Sequence, residues 1–253
     1  MDTKIQVLIV AILAAALAVA GFMLLKPGRE EAPPPMPAPV TATTFTVRIE
    51  NIAGEDAIVT SEGSTVPFAI SPVAWVVHSP DVSLFTVGVS ALGAPLERLA
   101  EDGNPVPLAE SLDGAPGVAS VGTVDTPVGA DGPGPATPGG EFEFHVTATP
   151  GMRLSFATMF GQSNDLFYAP DPPGIELFYA DGTPASGDVT GMVFLWDAGT
   201  EVNQEPGLGS DQAPRQAAPN TGEDENGVVQ LVDDGYTYPP VLEVIRVTIT
   251  PQT

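Results

Sequence analysis

Two aspartates stand where strands break, each among small oxygen-bearing side chains. In Gln162-Ser163-Asn164-Asp165-Leu166-Phe167, Asp165 follows the apolar run 154–160 and sits at a strand exit. In Trp196-Asp197-Ala198-Gly199-Thr200, Asp197 lies where a second apolar run breaks into a glycine turn. Carboxylates, hydroxyls and carbonyls at such ends are ligands for a hard cation, and calcium takes about six to eight oxygens with no need of sulfur or imidazole. Each aspartate would equally serve to cap its own turn through an Asx hydrogen bond, and spacing alone leaves both roles open. Asp233-Asp234-Gly235 lacks the ligand frame of an EF-hand loop.

Other chemistries have fewer candidates. The chain of 253 residues carries 32 acidic and 8 basic side chains, a formal charge of -24, no cysteine and two histidines. Thiol nucleophiles, disulfides, iron–sulfur clusters and Cys-ligated or three-His zinc sites are excluded. So acidic a chain repels phosphate, and no basic patch offsets this. Beyond Arg29 the basic residues Arg48, Arg98, Arg153, Arg215 and Arg246 are scattered singly, which argues against a nucleic-acid partner. A serine hydrolase needs a base beside its nucleophile. His145 lies in an alternating strand, His78 lies at a strand end, and no nucleophile-elbow motif accompanies either. Paired carboxylates for polysaccharide hydrolysis remain a competing function, with Phe167, Tyr168, Phe178 and Tyr179 as groove aromatics, although alternate aromatics in strands usually belong to a core. The run Glu223-Asp224-Glu225 reads as a solvated loop. The excess of carboxylates also suits solubility in concentrated salt.

The elements that must position these residues are mostly strands. Residues 1–25 include the apolar run 5–25, which at about 1.5 Å per residue matches a hydrocarbon core of about 30 Å. It reads as a retained transmembrane anchor or as a signal peptide cut after Ala18-Val19-Ala20. The apolar Phe22-Met23-Leu24-Leu25 beyond that point favours the anchor. Both readings export the remainder of the chain to the cell surface or beyond. Residues 26–43, with Pro27, Pro33, Pro34, Pro35, Pro37 and Pro39, form an extended linker. Residues 44–253 form the domain. Period-two alternation marks strands at 45–50, 141–147 and 244–250, and apolar runs mark others at 73–78, 154–160, 175–179 and 192–196. One short helix is expected at 95–101, opened by Pro95 and stopped at Asp102-Gly103, with a second helical turn at 108–112. Short strands, Gly/Pro turns and little helix predict an all-β, antiparallel β-sandwich of about eight strands. Two long loops, 114–140 and 199–234, absorb the remaining length.

Three stretches resemble the spondin N-terminal domain, the family of the F-spondin and mindin domains and of many exported prokaryotic proteins. They are Val73-Ala74-Trp75-Val76-Val77-His78-Ser79-Pro80 with Leu96-Glu97-Arg98-Leu99-Ala100-Glu101-Asp102-Gly103, then Leu154-Ser155-Phe156-Ala157-Thr158-Met159-Phe160 running into Ser163-Asn164-Asp165-Leu166-Phe167, and Trp196-Asp197-Ala198-Gly199-Thr200. The resemblance spans about residues 45–250. It implies an eight-stranded sandwich with one calcium ion, Ca2+, held in loops at one edge. Its carboxylates fall on Asp165 and Asp197, and a family glutamate falls on Glu141 or Glu143, both of which alternation places on one face. Asn164 and Leu166 depart from the family's proline and tryptophan, and the family's cysteines are absent. The expected function is a non-catalytic one: an extracellular, calcium-binding module for cell-surface binding or adhesion, with a protein or glycan as partner. The competing classes are a carboxylate-dependent hydrolase and a purely structural envelope component.

Overall fold

In a computed structural model describing residues 41–252, the two kinds of apolar pattern sort into two different sheets. In chain order the strands are β1 (Thr43–Asn51), β2 (Ile58–Val59), β3 (Thr65–Val66), β4 (Val73–His78), β5 (Val118–Val124), β6 (Glu141–Ala148), β7 (Arg153–Met159), β8 (Leu166–Pro170), β9 (Ile175–Glu176), β10 (Gly187–Asp188), β11 (Val193–Asp197), β12 (Gln230–Leu231) and β13 (Ile245–Pro251). The helices are α1 (Pro95–Asp102), α2 (Val106–Leu112) and the single turn α3 (Val241–Val244). The alternating segments are β1, β6 and β13, and they form one four-stranded sheet in the order β10-β13-β1-β6. The continuously apolar segments belong to the seven-stranded sheet, in the order β12-β11-β8-β7-β4-β5 with β9 also on β7. All of these pairings are antiparallel.

Burial explains the sorting. The four-stranded sheet turns one face inward, with Phe45, Val47 and Ile49 of β1, Phe142, Phe144 and Val146 of β6, and Ile245, Val247 and Ile249 of β13 in the core. They meet Leu154 and Phe156 of β7, Leu166 and Tyr168 of β8, and Val193 and Leu195 of β11. The outer face carries charge and stays wet, which is the origin of the period of two. The larger sheet is covered on both sides. Its far face, with Ala74, Val76, Ala157, Phe167, Ala169 and Trp196, lies under Leu96, Leu99 and Ala100 of α1, Leu108 of α2, and the loop residues Leu84 and Phe85. Phe85 packs edge-on against Phe167 and Trp196, with ring centroids at 5.2 and 5.0 Å. A strand buried on both faces has no exposed alternation to display, so β8 is buried throughout and β7 from Leu154 to Met159, with Ser155 and Thr158 its buried polar residues.

The described residues thus form a mostly β molecule with two antiparallel sheets packed together and a few short helices. Five of the strands are two residues long, and the other eight span five to nine residues. The helical turn expected at 108–112 is present as α2, which packs beside α1 over the far face of the larger sheet, so the domain has more than the one short helix of the sandwich reading. One expectation needs correction. The loop 114–140 contains the strand β5, whose Gly122 leaves room for the Trp75 ring: a Cβ there would lie 2.7 Å from it. The anchor or signal segment 1–25 and most of the linker 26–43 lie outside the described residues. Among the described residues no helix is long and apolar enough to cross a membrane.

Candidate metal centre

Strand pairing brings the two aspartates together. β8 and β11 run antiparallel with Leu166 opposite Asp197, so Asp165, one residue before β8, meets the last residue of β11 at one end of the sheet. The Ala198 N–H extends the ladder to the Asp165 carbonyl at 3.3 Å. Asp165 therefore stands at the start of a strand, after the turn that leaves β7, and not at a strand exit.

Both side chains are buried, Asp165 at 0% exposure and Asp197 at 2%. Asp165 Oδ2 accepts hydrogen bonds from the Thr200 N–H at 2.7 Å, the Thr200 hydroxyl at 3.1 Å and the Glu201 N–H at 3.1 Å. Its other oxygen, Oδ1, is buried and has no partner. Asp197 Oδ1 accepts from the Gly199 N–H at 2.7 Å, and Oδ2 from Asn203 Nδ2 at 2.9 Å. The Asx turn expected at Asp197 is therefore present, and it leaves the carboxylate beside Asp165.

Glu225 completes the group. One carboxylate oxygen each from Asp165, Asp197 and Glu225 lie within 4.8 Å of one another. Oxygens on opposite sides of a calcium ion stand up to about 5 Å apart, given Ca–O distances of about 2.3–2.6 Å. Such a group, with two buried carboxylates and the exposed Glu225 at its mouth, can hold a metal ion. Without one it is electrostatically costly. Burial first, and then the charge of Asp197, push the Asp165 carboxyl up to about 7. Burial also raises Asp197, and raises Glu225 with added repulsion from Asp197 and Asp234. A carboxylate that keeps one buried oxygen without a partner and is grouped with two further carboxylates is the polar arrangement that a cation would satisfy.

The loop carrying Glu225 is folded by its own polar groups. The Glu225 N–H donates to the Thr200 carbonyl at 3.0 Å, the Gly227 N–H to the Gly199 carbonyl at 2.8 Å, and the Val202 N–H to the Glu223 carbonyl at 2.8 Å. Asn164, where the family resemblance has proline, is an anchor for this loop: its Nδ2 donates to Glu201 Oε2 at 3.1 Å and its Oδ1 accepts from the Gln204 N–H at 3.0 Å. Gln212, fully buried, donates to the Gln204 and Glu205 carbonyls. Gly199 is the hinge, with φ at +66° and the chain at Val228 so close that a Cβ would lie 2.5 Å from its nitrogen. Gly199→Ala is expected to cost about 2 kcal/mol or more, from left-handed strain and this clash together. Thermal melts check it, and an unchanged melting temperature would contradict the docking of the loop.

The other residues singled out in the sequence lie elsewhere. Glu141 and Glu143 point from β6 to the outer face of the four-stranded sheet, where Arg48 reaches them at 3.8 and 2.6 Å. The structure does not bring them to the Asp165 group. Glu225, read from sequence as part of a solvated run, takes the third place instead. Its local signal is the Glu225-Asn226-Gly227 turn, with Asn226 at a φ of +59°. His78 and Ser155 form a hydrogen-bonded pair at 2.8 Å. The Ser79 carbonyl at 2.8 Å from Nδ1 places the His78 proton there, so Nε2 accepts from Ser155. Both residues are buried, and Gly174 closes over them so tightly that a Cβ would sit 2.6 Å from Ser155 Oγ. His145 faces outward beside Thr46 and Gln252. Of the four candidate groove aromatics, Phe167, Tyr168 and Phe178 are buried, and Tyr179 is 57% exposed.

The chain was compared with protein-family models and with the curated proteins, and neither comparison returns a match.

Proposed function

We propose that the chain is an exported, calcium-binding β-sandwich of the spondin type that acts as a binding or adhesion module at the cell surface, with an extracellular protein or glycan as partner. The observation that carries the calcium reading is the buried, unpartnered Oδ1 of Asp165 beside Asp197 and Glu225. The donor set consists of carboxylates alone, which suits a hard cation. Asp165, Asp197 and Glu225 would hold the ion, with carbonyls and water completing its shell. The ion would supply charge neutralisation and no bond-breaking chemistry.

The functional consequence lies in the loop. Asp165 and Asp197 belong to one end of the larger sheet, and Glu225 belongs to the long loop 199–234. A cation shared among them ties that loop to the sheet, so calcium fixes the shape of one end of the sandwich. A fixed loop surface loses less conformational entropy when it meets a partner. Glu225→Gln is expected to weaken calcium binding about tenfold, equivalent to about 1.4 kcal/mol, while leaving the metal-free fold intact. Calorimetric titration checks this, and unchanged affinity would remove Glu225 from the site.

The surface role is tested by immobilising the full domain and measuring retention of cell-surface glycans and proteins in calcium and in chelator. Calcium-dependent retention is expected. Equal retention in both, or none, would leave the domain as a spacer.

A further inference from the structure

The Asp165 group does not account for every buried carboxylate at this end of the molecule. Glu101, near the end of α1, is 2% exposed, and its Oε2 is buried without a hydrogen-bond partner. Glu201, at 3% exposure, has one donor on Oε2, the Asn164 amide. Gly222 closes against it so that a Cβ there would lie 2.4 Å from the same oxygen. Burial pushes Glu101 up to about 7, and burial together with the charges of Glu101 and Asp165 pushes Glu201 up to about 8.

Helix electrostatics sharpen the problem. The C-terminal end of a helix carries partial negative charge and favours cations. α1 instead ends on Glu101 and Asp102, with no basic residue in its last turn. Asp102 is neutralised: Arg98 forms an ion pair with Oδ2 at 2.7 Å, although that oxygen accepts no hydrogen bond, while the Gln216 amide and the Asn220 N–H donate to Oδ1 at 3.0 Å each. Glu101 has no comparable partner. Only the Thr200 side chain and the more remote charge of Arg98 offset its burial.

We infer that Glu101 and Glu201 bind a second hard divalent cation beside the one assigned to Asp165, Asp197 and Glu225. The inference rests on the calcium reading above for the identity of the ion. Thr200 lies beside both sites: its N–H and hydroxyl hold Asp165 Oδ2, its side chain also lies against Glu101, and Glu201 is the next residue along the chain. A second ion would tie α1 to the same loop that the first ties to the end of the larger sheet. The competing account is a proton shared within the acidic pair.

The test is equilibrium dialysis of the chelator-stripped full chain against calcium alone, with bound calcium counted by elemental analysis. Added salt screens loosely attracted counter-ions. The expected count is two ions in the wild type, one in Glu101→Gln and one in Asp165→Asn. A single ion in the wild type that Glu101→Gln leaves in place overturns the second site and spares the first. No ion in the wild type overturns both. Thermal melts at pH 8 give an independent reading. Stripped Glu101→Gln should melt above the stripped wild type, and its gain from calcium should fall to about half. An undiminished gain favours the shared proton and overturns the proposal. Glu201→Gln, which removes the other carboxylate, should show the same loss of one ion.

Discussion

Asp165→Asn is expected to abolish the share of the calcium-induced rise in melting temperature that its own site supplies, about half with two ions bound, and, in the chelator-stripped protein, to raise the melting temperature itself. Asparagine retains the shape and an acceptor oxygen for the Thr200 and Glu201 donors now bonded to Oδ2. It removes a charge buried at 0% exposure against Asp197, and it places an amide donor where Oδ1 now has no partner. The metal-free fold therefore gains what the uncompensated charge had cost. The calcium-loaded fold loses its central ligand. For the wild type, calcium at about 100 times its Kd contributes roughly 2.7 kcal/mol by mass action. Melts of both proteins in calcium and in chelator decide the matter. Coincident wild-type curves would remove the calcium role, and an undiminished gain in the variant would remove Asp165 from the site.

The metal-free protein is also expected to lose stability as pH rises from about 4 to about 8, the reverse of ordinary acid denaturation. The folded Asp165 carboxyl titrates at about 7 against an ordinary 3.8, with Glu101 at about 7 and Glu201 at about 8 against 4.5. Between the unfolded and folded values the folded state holds protons that the unfolded state has released, so stability falls with rising pH. Below the unfolded values both states are protonated and the cost vanishes; above the folded values it is felt in full. For Asp165 alone the upper bound is on the order of 4 kcal/mol. Asp181, Asp188 and Glu205, held below their ordinary values by hydrogen bonds from Thr183, Thr190 and Ser61, act in the opposite direction at lower pH. The stability maximum of the stripped protein should therefore lie near pH 4–5. Saturating calcium should flatten the decline above it. Urea unfolding at a series of pH values, with and without calcium, measures both slopes. A stripped protein more stable at pH 8 than at pH 5 would contradict the buried-charge account.

The sequence carried the sheets more clearly than it carried the site. Alternation in β1, β6 and β13 records one wet face, and its absence in β7 and β8 records burial on both sides. Asp165 and Asp197 were legible as candidates because each stands where an apolar run breaks, but the pairing that joins them sets the start of β8 beside the end of β11, which the runs alone do not announce. Glu225 was not legible. The loop that delivers it is shaped by backbone bonds to Gly199 and Thr200 and by the amides of Asn164 and Gln212, none of which leaves a periodic pattern. Alternation put Glu141 and Glu143 on a common face but gave no sign of what that face meets, which is Arg48. β5 was hidden by its small residues, and the need for Gly122 arises only from the Trp75 ring on the neighbouring strand.

The most direct test is anomalous diffraction from crystals of the domain grown with calcium or with a lanthanide in its place. A cation peak in contact with Asp165 Oδ1 and with the carboxylates of Asp197 and Glu225 is the expected result. An ordered Asp165 carboxylate with no peak against it, in crystals that hold the ion at Glu141, Glu143 or any other surface acid, would contradict the account.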